Sequence, residues 1–148
     1  MIDENGAKYL GEGISKCVTL SSLHLDLKHN SINDDGVKFL GEGISKCTIL
    51  TYFNLNLSMN IIGNNGAKYL GEGISKCVSL TSLYLSLGYN GIGDTGAKYL
   101  GEGILKCIAL TSLNLDFQAN TFNSERKIWQ PYFKAKRLIK IYIKFRHY

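Results

Sequence analysis

The fold is decided by the stretch from Asn64 to Asn90, which reads NNGAKYLGEGISKCVSLTSLYLSLGYN. Close copies of this stretch lie on both sides of it, so the chain contains four copies of one sequence repeat. The copies are aligned by a glycine that recurs every 30 residues, at Gly6, Gly36, Gly66 and Gly96. A fixed period between about 20 and 50 residues is typical of stacked repeat architectures. The sequence therefore predicts a repeat domain in which each copy packs on the next.

The first half of each copy has the pattern of an amphipathic helix. On a helix of 3.6 residues per turn, apolar residues at i, i+3, i+7 and i+10 share one face. In the second copy these are Val37, Leu40, Ile44 and Cys47. Charged residues fall on the opposite face, and the pair Glu42 and Lys46 has the spacing of a surface ion pair. The same spacing recurs at Glu12/Lys16, Glu72/Lys76 and Glu102/Lys106. We expect these charges to form a solvated helix face.

Two glycines inside each helix require an explanation, because glycine costs roughly 0.5–1 kcal/mol there relative to alanine. Gly41 and Gly43 fall about 80° to either side of the apolar stripe. They therefore point toward the preceding and following helices, which predicts close helix–helix approach. A phosphate-binding loop is the competing interpretation. It fails because the segment lacks the glycine spacing of the known phosphate motifs and lies in the middle of a helix.

The second half of each copy alternates strictly between apolar and polar residues, as a half-buried strand does. The predicted strands cover residues 23–27, 53–57, 83–87 and 113–117. Strands and helices that alternate in one direction predict a parallel sheet backed by helices. Asp3 or Asn5 would cap the first helix, and Asp34, Asn64 and Asp94 would cap the following helices.

Together these residues resemble a leucine-rich repeat. The motif is Leu20-x-x-Leu23-x-Leu25, then Asn30-x-Ile32, then a helix containing Gly36, Leu40 and Ile44. The long helical half makes the repeat similar to the repeats of the ribonuclease-inhibitor-like subfamily. The resemblance implies a curved α/β solenoid with an inner parallel sheet, outer helices and an asparagine ladder, and the chirality of such crossovers predicts a right-handed solenoid. The ladder positions are Asn30, Asn60, Asn90 and Asn120.

Charge divides the chain into two predicted parts, a repeat array over 1–120 and a basic capping repeat over 121–148. The array has nine lysines and eleven acidic residues, whereas the last 28 residues have eight basic residues and one acidic residue. Within the tail, Ile139, Ile141 and Ile143 alternate with lysines. We therefore expect a capping strand over 138–145 that continues the sheet, with Ile139 and Ile141 aligned to Leu113 and Leu115. A basic arm for nucleic acid or anionic membrane is the alternative.

The four cysteines are expected to be reduced, buried and free of metal. They occupy equivalent places on successive helices, whose axes lie about 8–10 Å apart, too far for disulfides. Their spacing also differs from that of zinc sites. Unpaired thiols, together with the absence of an apolar run of about 20 residues, favour a cytoplasmic protein.

The first strand would be an open sheet edge, and such edges invite association. We therefore expect the protein to self-associate through this edge, or the sequence to be a segment of a longer array.

Polar and aromatic residues at the outward strand positions suggest a protein-binding surface on the concave face, because tyrosine provides large contact area at low entropy cost. No catalytic constellation accompanies them. We therefore expect a non-enzymatic protein-interaction module with an unidentified protein partner. No cofactor, metal, small-molecule substrate or membrane span is expected. The candidate contact residues are His24, Asp26, Tyr52, Asn54, Asn56, Tyr84, Ser86, Asn114 and Asp116, with Tyr52 and Tyr84 as anchors.

Overall fold

A computed structural model describes residues 1–122 and 140–144. Helices and strands alternate along this part of the chain. The helices are α1 (Glu4–Ser15), α2 (Asp34–Ile44), α3 (Asn64–Ile74) and α4 (Asp94–Leu105). The strands are β1 (Ser22–Asp26), β2 (Tyr52–Asn56), β3 (Ser82–Ser86), β4 (Ser112–Asp116) and β5 (Lys140–Lys144).

The strands form one parallel sheet in the order β1-β2-β3-β4-β5. From β1 to β4 each residue pairs with its equivalent 30 positions further on, as Leu23 does with Phe53. Each helix packs on the helices next to it along the chain. The predicted α/β solenoid is confirmed. The strands begin one residue earlier than predicted, so Leu27, Leu57, Leu87 and Phe117 follow them and are nevertheless buried.

The capping strand is present at Lys140–Lys144, but its predicted register is wrong. Ile141 pairs with Leu113 and Ile143 pairs with Leu115, which is two residues away from the predicted alignment. A slip of two residues keeps the same side chains on the same face of a strand. Alternation alone therefore cannot distinguish the two registers. Ile139 and Phe145 lie outside the described residues, and the boundary at 120/121 stays a prediction.

The core lies between the sheet and the helices. Val37, Leu40, Ile44 and Cys47 are fully buried, as the helical pattern predicts. They pack in one cluster with the inward strand residues, such as Phe53 and Leu55, and with their equivalents in the other repeats. In β1, by contrast, Leu23 and Leu25 are only half-buried. The end of the solenoid at β1 is therefore less well covered than its middle.

The helix glycines mark places where neighbouring helices touch. A Cβ on Gly41 would lie 2.7 Å from the Tyr69 carbonyl oxygen in α3. A Cβ on Gly73 would lie 2.7 Å from the Gly41 Cα in α2. Such distances are shorter than real carbon contacts, so a side chain would force the helices apart. The predicted role of these glycines in close packing is confirmed.

The asparagine ladder is confirmed in full detail at Asn60. Its Oδ1 accepts from the Ile32 backbone N–H at 3.0 Å, and its Nδ2 donates to the Leu27 and Leu57 carbonyls at 3.0 Å each. One side chain thus satisfies backbone groups of two successive repeats, which an amide can do because it both donates and accepts. Asn90 repeats these contacts one repeat further on.

The residue before each ladder asparagine adopts a left-handed backbone conformation without being glycine. These residues are His29, Met59, Tyr89 and Ala119, with φ between 54° and 58°. The conformation costs an ordinary L-residue about 1–2 kcal/mol. Backbone hydrogen bonds between successive repeats hold this conformation in place. Met59 N–H, for example, donates to the Gly88 carbonyl at 2.8 Å.

The predicted helix caps are correct only at α1, where the Asp3 side chain accepts from Gly6 N–H at 2.9 Å. Helix α2 is capped by Asn33, and α3 and α4 begin after Gly63 and Gly93. The predicted caps Asp34, Asn64 and Asp94 are instead the first residues of their helices.

The ion pairs on the helix surface also differ from the expectation. The pairs within 4.0 Å between side chains of the described helices are Lys68–Glu72 and Lys98–Glu102, in which lysine comes first. The predicted pairs, in which glutamate comes first, are not formed among the described residues. Exposed pairs of this kind contribute about 0–1 kcal/mol, so the difference matters little for stability.

Candidate functional site

The face of the sheet away from the helices carries every residue predicted to bind a partner. We call it the open sheet face. The parallel register arranges its side chains in three rows that run across the strands. The first row is Ser22, Tyr52, Ser82, Ser112 and Lys140. The middle row is His24, Asn54, Tyr84, Asn114 and Tyr142. The third row is Asp26, Asn56, Ser86, Asp116 and Lys144.

The two predicted anchors lie together. Tyr52 and Tyr84 occupy adjacent strands in adjacent rows, with ring centroids 5.7 Å apart and ring planes inclined by 40°. Each residue is 36% exposed. Asn54 Nδ2 lies 3.5 Å from the Tyr52 hydroxyl. The pair therefore presents a continuous aromatic surface with polar groups at its margin.

The third row has a structural role that the sequence did not reveal. Asp26 Oδ1 accepts from Lys28 N–H at 3.1 Å, Asn56 Oδ1 accepts from Ser58 N–H at 3.1 Å, and Asp116 Oδ1 accepts from Gln118 N–H at 3.0 Å. A side chain that bonds the backbone two residues on stabilises a turn. These predicted contact residues thus also end their strands.

Asp116 makes one further contact. Its Oδ2 accepts from Lys144 Nζ at 3.2 Å across the β4–β5 pair, and both side chains are less than one third exposed. This ion pair connects the last strand to the array. The Asp116 carboxylate also neutralises the charge of Lys144, one of the basic residues of the tail.

Sequence reasoning missed Tyr142 as part of the surface. It pairs with Asn114 in the sheet register and is 56% exposed. The signal was available in the alternation Ile141-Tyr142-Ile143, which directs the ring to the same face as the two flanking lysines. The open sheet face therefore has aromatic groups on three of its five strands.

His24 and Asp26 lie on one strand, two residues apart, on the open sheet face. Asp26 is engaged with the backbone of Lys28. In the described ranges no three His, Cys, Asp or Glu side chains gather where they could hold a metal ion.

The buried thiols are chemically protected, with one exception. Cys47, Cys77 and Cys107 are buried, whereas Cys17 is exposed. Burial, reinforced by the neighbouring thiols, raises the pKa of Cys77 to about 12. Burial likewise raises the pKa of Cys47, with the Cys17 thiol as a smaller cause. A raised pKa lowers the population of the reactive thiolate.

The expectation that all four cysteines are buried is thus wrong for Cys17. Each buried cysteine is covered by the end of the preceding helix, since Cys77 Sγ lies 3.5 Å from the Ile44 carbonyl and Cys107 Sγ lies 3.2 Å from the Ile74 carbonyl. In this structure no helix lies before α1 to cover Cys17 in the same way.

The helix face of the solenoid carries aromatic groups as well, and those of α3 and α4 are already in contact with cations. Lys38 Nζ lies 5.9 Å from the centre of the Tyr69 ring, and Lys68 Nζ lies 5.8 Å from that of Tyr99. Such contacts contribute roughly 0.5–1 kcal/mol at exposed sites. None of the helices in residues 1–122 has the length and apolar character needed to cross a membrane.

The sequence model of the Leucine Rich repeat matches residues 19–41, 46–71 and 76–101, about half of the chain. The chain belongs to the leucine-rich repeat family. The family explains the asparagine ladder and the single parallel sheet as features of one repeated unit. No curated protein matches this leucine-rich repeat chain.

Solved structures of similar shape include actin-binding site 2 of leiomodin-1. It is 15% identical, with a TM-score of 0.67, and the match covers 93% of this chain and 77% of that chain. An internalin from Listeria monocytogenes is 16% identical with a TM-score of 0.35, covering 91% of this chain and 50% of that one. Internalin C2 from the same organism is 14% identical with a TM-score of 0.34, covering 99% and 76%. The leiomodin match shows a shared fold.

Proposed function

We propose that this chain is a non-enzymatic protein-interaction module that binds a protein partner through the open sheet face. The observation that carries the proposal is the exposed pair of Tyr52 and Tyr84, whose rings lie 5.7 Å apart among small polar side chains. Tyrosine is enriched where proteins bind one another, because it combines a large apolar area with a polar tip and few rotatable bonds.

Several features support a binding role over a catalytic one. The open sheet face is a surface of side chains in rows rather than an enclosed cleft. The titratable residues on it, such as Asp26 and Asp116, already bond the backbone or a lysine. The leiomodin-1 structure of similar fold is an actin-binding site of that protein, which supports binding as a use of this architecture.

We also propose that the chain is similar to the ribonuclease-inhibitor-like subfamily, and the length of the four described helices, 11 or 12 residues each, supports this. A cytoplasmic location is also proposed. The free thiols of Cys47, Cys77 and Cys107 support it, because a reducing compartment keeps thiols unpaired.

Capture from a lysate of the native cell, followed by mass spectrometry, tests the binding face. The full chain serves as bait, beside a Tyr52→Ala/Tyr84→Ala variant and a matched control, Tyr99→Ala. Tyr99 is a similarly exposed tyrosine on the helix face, at 43%. A partner retained by the wild type and the control but lost by the double variant supports the proposal. Equal retention by all three baits contradicts it.

Self-association through β1 is a separate proposal. Within the described residues no strand pairs with the outer edge of β1, and its inward residues Leu23 and Leu25 are only half-buried. A second copy that pairs along this edge would cover them. Sedimentation equilibrium of the full chain should then give an average mass that increases with protein concentration. At equal concentration a His24→Lys variant should give a lower average mass, because the added charge discourages edge pairing. A concentration-independent monomer mass contradicts it.

The alternative function, binding of nucleic acid or anionic membrane by the basic tail, concerns residues that lie mostly outside the described ranges. Of its basic residues the structure describes Lys140 and Lys144, and Lys144 is paired with Asp116. Binding by phosphate contacts weakens steeply as salt increases. Retention on an anionic matrix, with and without residues 121–148, distinguishes this function from a sheet-face interaction.

A further inference from the structure

The middle row of the open sheet face alternates between two kinds of side chain. From β2 to β5 it contains Asn54, Tyr84, Asn114 and Tyr142 in register. The two rings are two strands apart, and so are the two amides. Adjacent strands lie about 4.7–4.9 Å apart, so like groups in this row repeat about every 9.5 Å.

This repeat distance selects among the conformations that a bound segment could have. A polyproline II helix has three residues per turn and a rise of about 3.1 Å, so one of its faces repeats about every 9.3 Å. An α-helix repeats about every 5.4 Å. A fully extended strand repeats its side chains on one face about every 6.7 Å. Among these, the polyproline II repeat matches the spacing of the row.

We propose that the middle row binds a proline-rich segment of a partner protein, in the polyproline II conformation and running across the strands. The inference rests on the proposed function and names the class of partner. Residues i and i+3 of the segment would pack on Tyr84 and Tyr142, and the amide of Asn114 would lie between them.

The chemistry of the row suits this ligand. Polyproline II makes no internal hydrogen bonds, so its carbonyl groups are available to accept. The amides of Asn54 and Asn114 have N–H groups to donate. Proline-rich segments bind aromatic surfaces elsewhere because the preformed conformation loses little entropy. Tyr84 and Tyr142 are 36% and 56% exposed, so both rings are accessible.

Tyr52 would act on the ligand through its neighbour. Its ring lies 5.7 Å from that of Tyr84, at an inclination of 40°. It therefore limits the positions that the Tyr84 ring can take and widens the surface on which one proline would rest. The charges at the two ends of the open sheet face differ, with Asp26 on β1 and the exposed Lys140 on β5. This difference would favour a segment whose basic end lies toward β1.

The test is a titration of the isotope-labelled full chain with two synthetic peptides, followed by NMR chemical shifts. The first peptide is four repeats of Pro-Ser-Ala, which places prolines three residues apart. The second has the same composition in the order Pro-Ser-Pro-Ser-Pro-Ala-Pro-Ala-Ser-Ala-Ser-Ala, in which no two prolines are three residues apart. We expect the first peptide to shift the resonances of Tyr84, Asn114 and Tyr142 and to bind more tightly than the second.

Variants make the assignment specific. Tyr142→Ala should weaken binding of the first peptide about tenfold or more, as truncation of an aromatic anchor does. Tyr99→Ala on the helix face should leave it unchanged, and thermal melts confirm that both variants are folded. Three results would overturn the inference. They are equal binding of the two peptides, no shift on the open sheet face at about millimolar peptide, and no effect of Tyr142→Ala.

The two proposals can fail separately. A captured partner that depends on Tyr52 and Tyr84, together with no response to the Pro-Ser-Ala peptide, removes the proline-rich ligand and keeps the protein-binding face. A partner that ignores both tyrosines removes the face itself.

Discussion

The Oδ1 atom of Asn64 lies 2.9 Å from the backbone nitrogen of Gly96, although the two residues belong to different repeats. The same oxygen accepts from Gly93 N–H, also at 2.9 Å. Asn64 is the first residue of α3, whereas both N–H groups lie at the start of α4. Because Gly93 has no side chain to cap its own helix, the preceding repeat supplies the cap.

Asn64→Ala should therefore destabilise the protein by about 0.5–2 kcal/mol, the usual cost of losing a helix cap. The residue is exposed, so burial alone would suggest a neutral substitution. Chemical denaturation measures the change in the free energy of unfolding. Asn65→Ala is the matched control, an exposed asparagine one position along, which should change stability by less than about 0.5 kcal/mol. Equal effects at both positions would show that the cap between repeats contributes nothing.

The asparagine ladder predicts a larger loss. Asn60→Ala leaves the Ile32 N–H without its acceptor. It also removes one of the two amide donors of each of the Leu27 and Leu57 carbonyls, which keep Asn30 and Asn90. A buried N–H left without an acceptor costs about 1–3 kcal/mol, and each of the two lost bonds to the carbonyls contributes about 0.5–1.5 kcal/mol. The substitution should therefore cost more than about 2 kcal/mol. Asn54→Ala on the open sheet face provides the control and should be nearly neutral. A similar midpoint of urea unfolding for the two variants would contradict the structural role of the ladder.

The helix glycines predict opposite effects at equivalent positions. Gly73→Ala would place its Cβ 2.7 Å from the Gly41 Cα, whereas Gly13→Ala in α1 meets nothing within 4 Å. We expect Gly73→Ala to cost more than about 2 kcal/mol, in the upper part of the range for overpacking. Gly13→Ala should stabilise by about 0.5–1 kcal/mol, because alanine has the better helix propensity. Thermal unfolding of both variants decides the matter, and a destabilised Gly13→Ala would show that this flank is covered in solution.

The thiols should react in two groups. At neutral pH one equivalent of iodoacetamide per chain should label Cys17 quickly, while Cys47, Cys77 and Cys107 stay protected until the protein unfolds. Mass spectrometry of the native and denatured protein measures this difference. Fast labelling of Cys77 in the native protein would contradict its burial.

The same burial makes stability depend on alkaline pH. The pKa of Cys77 is about 12 in the folded protein, against the ordinary value of 9.0 that applies to the unfolded chain. Above pH 9 the unfolded chain therefore loses this proton while the folded chain keeps it. Stability from this group is fully present below pH 9 and falls as the pH rises toward 12. A Cys77→Ala variant should show a smaller alkaline loss than the wild type.

The sequence by itself determined which face each residue occupies. The period of 30 identified the repeats, and alternation placed Tyr52 and Tyr84 on the same face of the sheet. Helical spacing likewise placed Val37 and Leu40 in the core, because side-chain direction in a helix or strand follows from local geometry alone. The place of Asn60 in the asparagine ladder followed from the resemblance of its repeat to a leucine-rich repeat.

Only the tertiary structure decided what one repeat provides for the next. The cap of α4 comes from Asn64 in α3, and Cys77 is covered by the end of α2. Cys17 is exposed because no helix precedes it in the structure, although its own segment has the same pattern as the others. The register of β5 was open for a related reason, since a shift of two residues leaves every side chain on its face. Contacts between repeats depend on how the units stack, and a pattern repeated within each unit does not specify that stacking.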